Sequence, residues 1–134
     1  MTRPELCVGA VAVQDDSLLL IRRGHGPAAG MWAVPGGRVE AGETLAEAVV
    51  REVAEETGLE AMCDALIGWV ERIQGDRHLV ILDFAVTVLD PRQLIAGDDA
   101  AEAAWVPLSS VAGLDLVDGM AEFLHEHGII ATLA

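Results

Sequence analysis

The chain contains no Lys, no Tyr and no Asn, has two Cys, and draws only 4% of its residues from Phe and Trp. Each shortage narrows the reading. Without Lys, all eight basic residues are Arg, set against 22 Asp and Glu, for a net charge of −14. A surface so poor in cations argues against a nucleic-acid polymer as partner, because phosphate-backbone affinity comes from basic side chains. It argues equally against an anionic membrane surface. Cys7 and Cys63 are distant and form no CxxC or Cys/His cluster, which removes a disulfide framework and a zinc site. Both suit a reducing compartment as small buried apolar residues. No apolar stretch reaches the roughly 18 residues that span a bilayer. The start, Met-Thr-Arg-Pro-Glu, lacks the basic-then-apolar pattern of a signal peptide. The expected location is therefore cytoplasmic. No repeat, low-complexity tract or linker interrupts the sequence.

What is present is a core. The 134 residues are 52% hydrophobic with mean hydropathy +0.39, which excludes global disorder and fits one domain over 1–134. Leu6 to Gln14 reads as a strand, Asp15-Asp16-Ser17 as a turn, and Leu18 to Arg23 as a second strand completing a hairpin. A Gly/Pro-rich loop covers Gly24 to Gly30. Short extended pieces follow at Trp32–Pro35 and Arg38–Glu40. The clearest element is a helix from Thr44 to Thr57. Thr44 and Glu47 form a capping box, Ala46, Val49, Val50 and Val53 repeat at helical spacing, and Gly58 stands where a left-handed cap belongs. Strands are expected over Leu66–Ile73 and His78–Leu89, joined at Gln74-Gly75-Asp76. A short strand over Ala103–Val106 is followed by a short helix capped by Ser109 or Ser110, and a last helix runs from Leu116 to His127. This order of strands and helices implies an α+β or α/β/α layered architecture.

Chemistry concentrates between Gly37 and Leu59. Glu52, Glu55 and Glu56 span about 100° of the capped helix, beside its apolar stripe. Three like charges on one face destabilise an isolated helix by a few tenths of a kcal/mol per pair, and no Arg stands four residues after any of them. A divalent cation would answer the repulsion, and carboxylate oxygens suit Mg²⁺ or Mn²⁺. A solvated acidic face is the alternative for the three Glu alone. The flanking residues tip the balance. Gly36-Gly37 lets backbone approach a ligand, and Glu43 and Arg51 bracket the helix as a candidate ion pair.

The resulting pattern is Gly37, five residues, Glu43, seven residues, then Arg51-Glu52-Val53-Ala54-Glu55-Glu56-Thr57-Gly58-Leu59. It resembles the 23-residue signature of the Nudix hydrolases at every fixed position, and Trp32-Ala33-Val34-Pro35-Gly36-Gly37 is similar to the family's lead-in. The resemblance implies a mixed β-sheet sandwiched between helices, with the signature as loop–helix–loop. It implies hydrolysis of a nucleoside diphosphate linked to another group: water attacks a pyrophosphate phosphorus while divalent metal stabilises the charge. Carried over by position, Glu52, Glu55 and Glu56 are metal ligands and catalytic carboxylates, the carbonyl of Gly36 is a further ligand, and Glu43 with Arg51 is structural. The general base is either a signature Glu or an acid of the late loop, where Asp98, Asp99 and Glu102 are candidates for a base or an outer metal ligand. Gly97-Asp98-Asp99-Ala100 with Glu102 and Trp105-Val106-Pro107-Leu108 resembles the ADP-ribose pyrophosphatase-like branch. ADP-ribose or a similar nucleotide-sugar is the first expected substrate. A nucleoside triphosphate, as in sanitising of 8-oxo-dGTP, is the second. A non-catalytic nucleotide-binding module is the alternative of another class. The composition also permits a homodimer.

Other residues carry weaker readings. Arg22 and Arg23 are adjacent on a strand and point to opposite faces, so at most one, here Arg23, can clamp a phosphate. Arg38 beside the glycine pair is a further phosphate candidate. Arg72 and Arg77 read as surface. Trp69 could stack on a nucleobase, although each of Trp32, Trp69 and Trp105 reads more readily as core. His25, His78, His125 and His127 share no metal-ligand spacing.

Overall fold

The computed structural model describes residues 3–26, 28–97 and 100–133. Its strands are β1 (Glu5–Val11), β2 (Val13–Gln14), β3 (Ser17–Arg23), β4 (Trp32–Ala33), β5 (Gly36–Arg38), β6 (Ala61–Gln74), β7 (Arg77–Val88) and β8 (Ala100–Pro107). Its helices are α1 (Leu45–Thr57), α2 (Leu108–Val111) and α3 (Met120–Glu126), with a 3₁₀ turn at Pro91–Gln93. The strands divide into two four-stranded sheets. One has the order β5-β1-β7-β6; in the other, β3 pairs with β2, β4 and β8. The first sheet is mixed, since β1 runs parallel to β7 while its other pairings are antiparallel. Helices flank the sheets, which gives the expected α+β, α/β/α sandwich.

Two apolar layers hold the sandwich together. On one side Val8, Ala10, Leu19, Val86 and Val88 pack against Ala48, Val49 and Val53 of α1. On the other, Val11, Leu18, Leu20 and Val34 pack against Val111, Phe123 and Leu124. Consecutive Leu18, Leu19 and Leu20 are all fully buried, because β3 has a helix layer on both faces and alternation sends its side chains to each in turn.

Several expectations shift. The Asp15-Asp16 turn has φ of 50° and 59°, the left-handed pair that a two-residue hairpin needs and that Asp tolerates. The hairpin it closes is short, Val13–Gln14 with Ser17–Leu18, because β1 leaves to join the other sheet. The late strand is longer than Ala103–Val106, since it pairs along most of β3. The last helix starts at Met120, not Leu116. The backbone of 115–117 is committed to Trp32 instead: Trp32 N donates to Asp115 O at 2.8 Å, and Val117 N donates to Trp32 O at 3.0 Å. Ser109 and Ser110 lie inside α2, whose cap position is Pro107 without a side-chain cap. Cys7 is buried as expected, but Cys63 is half-buried.

Candidate active site

The signature helix forms as the sequence dictates. Thr44 Oγ1 accepts from Glu47 N at 3.1 Å, Glu47 Oε1 accepts from Thr44 N at 2.8 Å, and Gly58 caps the end at φ 70°. The inward face differs from the expected stripe. Ala46 is exposed, and the buried residues are Ala48, Val49, Val53 and Thr57. The row Ala48, Glu52, Glu56 therefore runs along the edge of the buried face, with two carboxylates where a purely structural helix would carry apolar residues. Buried Thr57 was not singled out from the sequence. Its Oγ1 donates to Val53 O at 2.6 Å and accepts from Leu59 N at 3.3 Å, which locks the last turn.

The two half-buried carboxylates abut the glycine pair. Glu56 Oε1 accepts from Gly36 N at 2.8 Å. A Cβ on Gly37 would stand 2.6 Å from the Glu52 carboxylate, so glycine is required there by close approach. A Cβ on Gly36 would strike the carbonyl of Val8. Pairing of β5 with β1, Gly9 to Gly36 and Val8 to Gly37, sets this turn against the helix. Burial pushes the Glu56 carboxyl up to about 8, and the charge of Glu52 adds to it. Burial also raises Glu52. Glu55 points outward and is more exposed.

Arg51 supplies the counter-charge to the acidic face. It stands four residues before Glu55, not after it. Its Nε lies 2.6 Å from Glu43 Oε2 and its Nη2 lies 3.0 Å from Glu43 Oε1, a two-pronged bond. Its Nη1 reaches Glu52 at 2.8 Å and Glu55 at 3.3 Å. Its Nη2 also donates to the carbonyl of Arg38 at 3.0 Å, which ties the glycine turn to the helix. The guanidinium beside Glu43 holds that carboxyl down at about 2. With Arg51 among these groups, no three His, Cys, Asp or Glu side chains of the described residues converge into an ion cage by themselves.

The remaining candidates are spread. Arg23 is close enough to lower the Glu56 carboxyl by its charge, whereas Arg22 is committed to Glu102 across the β3–β8 pairing at 3.0 Å. Arg38 is exposed and lies 3.7 Å from Glu5, on the side of the turn away from the helix. Glu102 faces Arg22, and Asp99 lies outside the described residues, as does Asp98. Trp105 donates its Nε1 to Pro91 O at 3.0 Å. Trp69 is not core: it stands exposed on β6. His78 pairs with Glu71 at 2.9 Å. His127 packs on Phe123, with ring centroids 4.3 Å apart.

One buried acid was missed. Asp83, on β7, lies between Gly9 of β1 and Gly68 of β6, its cross-strand partners. A Cβ on Gly9 would collide with its carboxylate. Burial raises its carboxyl to about 6, against the opposing charges of Arg72 and His127. The signal available was its position inside the apolar run Leu79-Val80-Ile81-Leu82-Asp83-Phe84.

A sandwich of mixed sheet and helices that sets an acid-bearing helix against a glycine turn is a scaffold of the Nudix type. A family model described as NUDIX domain matches residues 3–127, and the chain belongs to the Nudix hydrolase family. Relatives divide by name. The chain is 40% identical over 113 residues to an ADP-ribose pyrophosphatase of Methanocaldococcus jannaschii, covering 83% of this chain and 66% of that protein. It is 36% identical over 95 residues to a putative 8-oxo-dGTP diphosphatase of Bacillus subtilis, covering 69% and 59%. The chain thus spans between half and two-thirds of the length of these two relatives. Among solved structures, the MutT protein from Methanosarcina mazei Go1 matches with TM-score 0.83 at 26% identity, covering 95% of this chain and 94% of that one.

Proposed function

We propose that the chain hydrolyses the pyrophosphate of a nucleoside diphosphate derivative with a divalent metal, Mg²⁺ or, in its place, Mn²⁺. The observation that carries this is the pair of half-buried carboxylates, Glu52 and Glu56, held against Gly36-Gly37 at the end of a capped helix. Burying two like charges side by side is costly, and a hard cation offsets that cost with the oxygen ligands it prefers. Glu52, Glu55, Glu56 and the carbonyl of Gly36 are the proposed ligands. When bound, the metal polarises phosphate oxygens and lowers the pKa of water. Glu43 and Arg51 position: their two-pronged bond fixes the turn on the helix. Arg23 is the proposed contact to substrate phosphates, Arg38 being turned to the other side of the glycine turn beside Glu5, and Asp99 or Glu102 is the proposed late-loop base or outer ligand. A small anionic nucleotide can approach this acidic chain only through cations, whereas a nucleic-acid polymer meets its whole surface. No helix of the described residues is long and apolar enough to cross a membrane.

ADP-ribose or a similar nucleotide-sugar is the first substrate reading, supported by the late-loop pattern and by the name of the M. jannaschii relative. A nucleoside triphosphate of the 8-oxo-dGTP type is the second, supported by the name of the B. subtilis relative. Product analysis separates them. ADP-ribose gives AMP and ribose 5-phosphate; a dNTP gives dNMP and pyrophosphate. A panel of both with Mg²⁺ and Mn²⁺ should show turnover that EDTA abolishes. Tight nucleotide binding with no turnover of either class would replace the enzyme by a binding module.

A further inference from the structure

We propose that Gly97 is a positioning residue for the reaction: through it, segment 94–97 straps the last turn of α1 and holds Glu55 and Glu56 in place, a role that rests on those carboxylates being the metal ligands proposed above. The turn needs holding. It carries two acids at the negative end of the helix dipole and no basic residue. A helix also leaves its last four carbonyls without intrahelical donors, and here these belong to Ala54, Glu55, Glu56 and Thr57. Ala54 O accepts from the cap, Gly58 N, at 2.9 Å. The strap serves two of the others. Gly97 N donates to Glu56 O at 3.1 Å, and Ile95 N donates to Thr57 O at 2.9 Å.

Glu55 O is met by Gly97 itself. A Cβ at position 97 would collide with that carbonyl. Gly97 does not lie in the left-handed region, unlike Gly58 at φ 70°. Its conformation would therefore admit a side chain, and the close approach to Glu55 alone selects glycine. Gly58, by contrast, has room. A Cβ there would meet Ile95 O at 3.6 Å, an ordinary contact that leaves the strap seated.

The strap is anchored at both ends. Leu94 packs against the core layer that α1 covers, and Ala100 N donates to Gly97 O at 3.0 Å where β8 begins. Between them Ile95 is 70% exposed, so the backbone bonds to α1, and not apolar burial, seat 95–97. The helix is the firmer partner, because Val53, Thr57 and Leu59 beneath its last turn are fully buried. A side chain at 97 must therefore lift the strap. Lifting breaks both N–H bonds and loosens the turn that presents Glu55 and Glu56. Ligands displaced by about 1 Å lose metal affinity and rate together, and loss of an outer partner of this kind costs on the order of 10- to 100-fold.

Gly97→Ala on the full chain tests this. In the metal-free protein, hydrogen exchange should show the amides at 95 and 97 protected in the wild type and open in the variant. Titration with Mn²⁺ alone, read by electron paramagnetic resonance, should show binding weakened about tenfold, and kcat with Mg²⁺ should fall about 10- to 100-fold. Thr44→Ala loosens the opposite end of the same helix and controls for general destabilisation; its Mn²⁺ affinity and kcat should stay within about twofold of wild type. A folded Gly97→Ala that binds Mn²⁺ and turns over like wild type overturns the proposal, and so does an equal loss in Thr44→Ala. If circular dichroism shows Gly97→Ala unfolded, Ile95→Pro replaces it. That change removes the N–H bonded to Thr57 O, and Leu94 already has the extended backbone, φ −70° and ψ 122°, that precedes proline. Its Mn²⁺ affinity should fall about threefold, and no change there overturns the proposal. A wild type that neither binds Mn²⁺ nor hydrolyses a nucleotide instead overturns the reading of the carboxylates as ligands, and this role of Gly97 with it.

Discussion

At the scale of single residues, the site is organised by which carboxylates have a cation and which do not. Arg51 serves Glu43, Glu52 and Glu55, while Glu56 has a backbone N–H and only the distant charge of Arg23. Glu56 is therefore destabilising when ionised. Its folded pKa of about 8 lies above the ordinary 4.5, so the folded state holds the extra proton between those values. Metal-free stability should fall as pH rises through that window. Glu56→Gln should flatten the fall and raise Tm at pH 8, while turnover drops by orders of magnitude. Thermal melts in EDTA at pH 5 and pH 8, beside activity with Mg²⁺, check both halves. A Tm equal to or below wild type at pH 8 would contradict the burial argument. Arg51→Gln acts oppositely. It leaves three carboxylates without their cation and should lower Tm on the order of 5 °C at neutral pH. Because the Glu43 carboxyl is held down at about 2, the contribution of that pair is present above the ordinary 4.5 and fades as pH falls toward 2. The gap between Arg51→Gln and wild type should narrow accordingly in melts at pH 3.

At the scale of elements, α1 was legible because its ends are written locally. Thr44, Glu47 and Gly58 each act on backbone groups within four residues. Removing either end should be measurable without touching the chemistry. Thr44→Ala and Gly58→Ala should each cost about 1 kcal/mol in urea denaturation, with kcat nearly unchanged. The face of α1 was less legible. Periodicity placed Ala46 inside, yet Ala48 occupies that position, because β1 and β5 approach from the side on which Glu52 and Glu56 lie. Helix α3 starts later than the apolar spacing from Leu116 suggests, since the backbone of Asp115 and Val117 on either side is bonded to Trp32. No local signal reports a partner more than eighty positions away. Trp69 failed for a related reason: aromatic residues in strands are usually covered, but its strand outruns the helix that covers the sheet.

At the scale of the whole molecule, charge is the dominant quantity. Of the 22 acids, seven lie within residues 38–60, together with two Arg, so the acidity is concentrated around the signature. Such a chain is under self-repulsion, which salt screens with a Debye length of about 10 Å at 0.1 M. Raising NaCl from 10 mM to 0.5 M should increase Tm of the metal-free protein by several degrees. Millimolar Mg²⁺ should do so at far lower ionic strength, through binding to the folded state. Equal effects of Mg²⁺ and of NaCl at matched ionic strength would remove the case for a specific site.

The sequence by itself determined the signature helix, its caps, the glycine turn before it and the family that these define, because all lie between Gly36 and Leu59, a span of 24 residues, and rest on local backbone chemistry. Tertiary structure decided the rest. It sent Arg22 to Glu102 while leaving Arg23 toward Glu56, although the two arginines are identical in sequence terms. It buried Asp83 between two glycines of neighbouring strands, and it left Trp69 uncovered. These outcomes depend on strand register and on the reach of one layer over another, which are set by contacts distant in the chain. A residue's type fixes what it can do; the register of its sheet fixes which neighbour it meets.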